Sequence, residues 1–216
     1  MRRVVWQRSG RRGSALGGGL AAGLLLLGLT ACTGETSSRE PLPDRSVGSQ
    51  ATLDARPVPM DVALGRTVGK RPSRAQARRV EQQVGRVLGR YFDAAYLGGD
   101  YPRTDFPGAF DDFAPDLARS ARSDRDLLTN AAAGASIEAV VPKLKRVRVD
   151  TLAPSKAVVG VTARARLVFL VERADAADRR VTVTGRFLMS RRKAGPWEIF
   201  GYDVARGSVV AAREGS

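Results

Sequence analysis

Residues 157–171 read AVVGVTARARLVFLV. Ala157, Val159, Val161, Ala163, Ala165, Leu167, Phe169 and Val171 recur at a spacing of two, and Thr162, Arg164 and Arg166 fall between them. An apolar side alternating with a polar side at period two is the signature of a half-buried β-strand. The pattern repeats downstream, where Val181, Val183, Gly185, Phe187 and Met189 alternate with Thr182, Thr184, Arg186 and Ser190. Upstream, Lys145, Val147 and Val149 alternate with Leu144, Arg146 and Arg148. Turn residues at 175–180 and 193–195 separate these runs, and residues 197–204 supply a last strand. Short turns join antiparallel neighbours, so the expectation is an antiparallel sheet of about four strands with one greasy face and one wet face.

Before residue 137 the period is that of a helix. Ser73 and Gln76 have the spacing of a capping box, with Pro72 outside it. Val80, Val84, Val87, Leu88, Tyr91, Phe92 and Ala95 then form one apolar stripe, while Arg78, Arg79, Gln82, Arg86 and Arg90 fill the other side. The stripe predicts a helix of about 25 residues, ended by Gly98 and Gly99. Pro102, Pro107 and Pro115 break the next segment into short helical pieces. Phe106, Phe110, Phe113, Leu117, Leu127 and Leu128 are expected to pack beneath the long helix. Helices gathered on one face of an antiparallel sheet make an α+β domain, placed at residues 73–206. Residues 207–216 are expected to be a disordered tail.

The order of one long N-terminal helix, short helices and long strands that can curl resembles the cone-shaped nuclear transport factor two-like (cystatin-like) fold. So does the local text: Tyr91-Phe92 followed by Ala94, FAPDLARSARSDRDLLT at 113–129, and GPWEIFGYDV at 195–204. The resemblance implies a cavity between sheet and helix. Tyr91, Phe169, Phe187, Met189 and Asp203 are its candidate lining. Ketosteroid isomerase-like relatives place carboxylates on the inward strand face. This chain departs from them, because the apolar faces of its two central strands carry none. Asp93, Asp111 and Asp112 are the other acids that could stand at a cavity mouth, and Asp203 is the best single candidate.

The first residues address the chain. Arg2, Arg3, Arg8, Arg11 and Arg12 precede residues 15–31, ALGGGLAAGLLLLGLTA, which carry no charge. A basic start and a short apolar run form a secretory signal, and the run is marginal for a stable span. Leu29-Thr30-Ala31-Cys32 resembles the lipobox of bacterial lipoproteins. That resemblance implies a diacylglycerol on the Cys32 sulfur, palmitate among its acyl chains, and cleavage between Ala31 and Cys32. A thiolate is the nucleophile that takes the lipid, and two acyl chains anchor where one is marginal. Residues 1–31 are thus read as the signal peptide, and residues 32–72 as the lipidated cysteine and a flexible tether, rich in Pro, Gly, Ser and charge. Within the tether only residues 60–64 are expected to dock. The expected location is the extracytoplasmic face of the cell membrane.

Composition narrows the chemistry. The chain of 216 residues has no histidine and one cysteine. That excludes Ser–His–Asp and Cys–His catalysis and the commonest zinc ligand; no metal and no cofactor is expected. Neither a GxGxxG nor a Walker phosphate loop occurs. The net charge is +14, of which the five leader arginines supply 5. At an exported address such charge faces lipid headgroups, wall polymers or acidic proteins, and nucleic acid is not an expected partner. Arg164, Arg166 and Arg186 share the wet face, and Arg191 and Arg192 lie near its end, making a candidate basic surface. The reading is a non-enzymatic binding or accessory module for an envelope protein or anionic polymer. The alternatives are a carrier of a small apolar ligand and a histidine-free cavity enzyme.

Overall fold

The computed structural model describes residues 57–191 and 195–211. β1 (Met60–Gly69), β2 (Ala139–Ala153), β3 (Gly160–Glu172), β4 (Arg179–Arg191) and β5 (Trp197–Val210) form one sheet in the order β1-β2-β3-β4-β5. Strands β2 to β5 are an antiparallel meander, and β1 lies on its edge, parallel to β2. The helices α1 (Arg74–Phe92), α2 (Pro115–Ser123) and α3 (Arg125–Leu128) all come between β1 and β2 in the chain.

This corrects the expected fold class. The sheet has five strands rather than about four, and it is mixed rather than antiparallel. The described domain opens on a strand, not on a long helix, and it starts upstream of Ser73. Residues 60–69 were assigned to the tether, yet Met60 pairs with Lys145, Leu64 with Val149 and Gly69 with Ala153. The physical reason lies in the partner. The sequence MDVALGRTVG alternates poorly and is interrupted by a register shift between Leu64 and Thr67. Its stabilisation comes from a ladder with residues about 84 positions away, which no local period can reveal. At the other end β5 runs on to Val210, opposite Arg179, so residues 207–210, expected in the tail, belong to the sheet. The lipobox, Ala31, Cys32 and most of the tether lie outside the described residues.

Helix α1 starts at the capping box: the Ser73 Oγ accepts from the Gln76 amide at 3.3 Å, and the Gln76 Oε1 accepts from the Ser73 amide at 2.9 Å. It runs for 19 residues rather than about 25, then gives way to a π-helical turn at Asp93–Leu97. Val80, Val84, Val87, Leu88, Tyr91 and Phe92 are its buried stripe. They meet Ala163, Leu167 and Phe169 of β3 and Val183, Phe187 and Met189 of β4 in one core. Tyr91 sits among rings, with centroids 5.5 Å from Phe92, 5.9 Å from Tyr96, 5.4 Å from Phe113 and 5.5 Å from Phe187. Aromatic pairs at this range add to the area they bury.

The two faces should respond differently to truncation. Phe187 is 1% exposed, so Phe187→Ala should cost about 3–5 kcal/mol in chemical denaturation. Phe200 is 49% exposed, and Phe200→Ser should stay within about 0.5 kcal/mol. Equal losses would mean that the face assignment of β4 and β5 is wrong.

Candidate functional site

The space between α1 and the sheet, where a cavity was expected, is occupied by side chains. Tyr91, Phe169, Phe187 and Met189 belong to the core cluster and are at most 1% exposed. Asp203 lies elsewhere: it is exposed and ion-paired with Arg186 at 2.5 Å. The sequence-predicted set is therefore split between two faces of the sheet. Of the other acids, Asp93 takes Lys145 at 3.2 Å and Asp112 takes Arg90 at 2.6 Å, while Asp111 is exposed.

A buried polar network, missed by period reading, closes the core beside β5. The Tyr91 hydroxyl donates to the Leu128 carbonyl at 2.9 Å and the Tyr96 hydroxyl to the Leu127 carbonyl at 3.1 Å. The Asn130 Nδ2 donates to the Tyr96 carbonyl and to the Tyr101 hydroxyl, both at 2.9 Å. Arg206 donates to the Thr129 carbonyl at 2.6 Å and to the Asn130 Oδ1 at 2.9 Å. Burial pushes the Tyr96 hydroxyl up to about 12 and Tyr91 well above its ordinary value. Both tyrosines are thus neutral donors at physiological pH, holding the 127–130 segment against α1. Among the described residues no cluster of three His, Cys, Asp or Glu side chains gathers as a metal site.

The opposite face of the sheet is chemically distinct. Register puts Arg146 opposite Arg166 and Arg148 opposite Arg164, while Arg164 also faces Arg186. Five arginines therefore stand in two cross-strand rows on β2, β3 and β4, all exposed. Asp61 pairs with Arg146 at 3.3 Å, Asp203 with Arg186, and Asp150 with Arg164. Arg148 and Arg166 have no hydrogen-bond or ion-pair partner among the described residues. The band anticipated from Arg164, Arg166 and Arg186 is thus assembled, and it gains Arg146 and Arg148. Their alternation already put them on the wet face, but only the β2–β3 register shows them adjacent. Arg191 is not in the band: it turns to the helix side, donating to the Gln83 Oε1. Arg192 lies outside the described residues.

Next to the arginine rows the face becomes apolar. Val68, Leu152, Leu188 and Phe200 are exposed and line a groove of about 190 Å³ with Asp150 and Thr162. A bulge at Leu188/Met189 inserts the extra β5 residue that carries Phe200. Asp150 joins the two zones. Burial works against its carboxylate, but the Arg66 amide at 2.9 Å and the Arg164 guanidinium outweigh it and hold the group below its ordinary value.

Two measurements follow from these contacts. Asn130→Ala removes one of the two donors to the Tyr96 carbonyl, the donor to the Tyr101 hydroxyl and the acceptor of one Arg206 nitrogen, and should cost about 2–3 kcal/mol in urea unfolding. Asp150 has a depressed folded pKa, so its contribution is present above the ordinary carboxylate value and is lost as pH falls through the folded value. Asp150→Asn should therefore be less stable by about 1–2 kcal/mol at neutral pH, with the gap closing in acid below about pH 4. A gap that stays constant with pH would assign the loss to packing instead.

No protein-family model, no curated protein and no solved structure matches this chain.

Proposed function

We propose that the protein is a lipid-anchored, non-catalytic accessory module of the cell envelope, which holds an acidic partner protein on the outer face of its sheet. The anchor rests on the lipobox-like Leu29-Thr30-Ala31-Cys32. The observation that carries the binding role is the juxtaposition of two arginine rows with an exposed apolar groove on one face. Like charges directly opposite one another destabilise a strand pair, so a row such as Arg148–Arg164–Arg186 is better accommodated when acidic groups approach it. The Asp61–Arg146 and Asp203–Arg186 pairs are more than half exposed on both sides. Such pairs contribute little, about 0–1 kcal/mol, so a partner's carboxylates can replace them. Arginines beside an aromatic anchor are the composition of protein interface centres, whereas a bare polyanion has no use for Phe200.

The test is site-specific photo-crosslinking in intact cells. A probe at Phe200 should give one discrete adduct, and a probe at Arg78 on α1 should not. Arg148→Ser with Arg166→Ser should reduce the Phe200 adduct at least fivefold without lowering Tm, because neither side chain has a partner to lose among the described residues and each removal relieves a like-charge pair. An adduct indifferent to both arginines would remove this reading of the face. Separately, Cys32→Ser should accumulate unprocessed precursor; normal processing of that variant would sink the anchor.

A further inference from the structure

A second basic surface lies on the helix side and belongs neither to the core nor to the sheet face. Arg79, Gln83, Arg86 and Arg90 follow one another on α1 at spacings of four, three and four. At about 100° per residue they fall on one narrow stripe, about 16 Å long at 1.5 Å per residue. The stripe faces the junction of β4 and β5, where Arg191 and Trp197 stand. Gln83 is the hinge: its Oε1 accepts from the Trp197 indole at 3.1 Å and from the Arg191 guanidinium. Arg191 also lies over the indole ring, 5.2 Å from its centroid. These contacts clamp a fixed guanidinium into the middle of the row, and its Nε–H is buried without an acceptor among the described residues.

Two grooves open on either side of this clamp. One, of about 360 Å³, is lined by Arg86, Val87, Arg90, Arg191, Pro196 and Trp197 among others. The other, of about 280 Å³, is lined by Arg79, Val80, Ala157, Val158 and Arg191. Among the described residues no carboxylate lines either groove. Arg90 is neutralised by Asp112, but Arg79 and Arg86 are exposed and have no partner among the described residues. Among the described residues the Arg191 side chain is bound only to neutral Gln83 and to the ring.

We propose that this double groove is a binding track for a linear polyanion bearing repeated phosphates, with Arg79, Arg191 and Arg86 contacting successive phosphates. A point anion would satisfy one guanidinium; three in line with grooves on both sides of the middle one suit an extended chain. Arg191 is already held in place, so binding loses little side-chain entropy there. The site does not rest on the sheet-face reading, and the two lie on different sides of the sheet.

The experiment uses the full-length chain in detergent and end-labelled inorganic polyphosphate, with affinity read by fluorescence anisotropy at fixed ionic strength. Arg79→Ser with Arg86→Ser should weaken binding tenfold or more. The charge-matched control, Arg122→Ser with Arg180→Ser, exposed and outside both basic surfaces, should change it less than threefold. Arg191→Lys keeps the charge but loses the clamp and should weaken binding at least threefold. Tm should be unchanged in the Arg79/Arg86 variant, since both side chains are exposed. Equal loss in the two serine pairs would reduce the effect to the overall positive charge and overturn the proposal. Orthophosphate binding as tightly as the polymer would overturn it in favour of a single-anion pocket.

Discussion

Because β1 pairs parallel to β2, the chain between them has to leave one end of the sheet and return to the other. Residues 70–138 make that crossover and contain every helix of the described domain. Their apolar stripe, from Val80 to Phe92, needs a surface to cover, and the inward side chains of β3 and β4 provide it. All the helical mass thus settles on one side. The outer side of the sheet stays open, and its chemistry is free to be polar.

The two sides then diverge. Inside, rings and aliphatic groups fill the space around Tyr91, and the Tyr96, Tyr101, Asn130 and Arg206 polar groups bond one another in a buried network. Such a network is stable when each member is satisfied and costly when one is removed. The tyrosines there act as fixed donors, because desolvation holds their hydroxyls protonated. Outside, the cross-strand register places arginine against arginine, with three aspartates as partial compensation. The Asp61–Arg146 and Asp203–Arg186 pairs are exposed on both sides and hold their side chains loosely, as the proposed docking of an acidic partner requires.

The two basic surfaces differ in construction. On the sheet, the guanidiniums are set by strand register and lie next to an apolar groove. On α1, helical spacing aligns Arg79, Arg86 and Arg90, and a side chain from β4 is locked into the row by Gln83 and Trp197. A flat face with an apolar margin fits a folded protein. A narrow row between grooves fits a chain.

Local periodicity was enough to find the capping box at Ser73, the buried stripe of α1 and the alternation of β2, β3 and β4, since each depends on neighbours within a few residues. It also put Arg164, Arg166 and Arg186 on one side, because side-chain direction alternates along any strand. It could not show β1, whose weak pattern is stabilised by a distant ladder, nor the parallel pairing that forces the crossover. It could not show that Arg148 abuts Arg164 or that Asp203 turns away from the core; the alternation through Phe187 and Met189 already puts Arg191 on the helix side, but not against Gln83. Those outcomes depend on strand register and on contacts more than a hundred residues apart, and only folding in three dimensions brings such groups together.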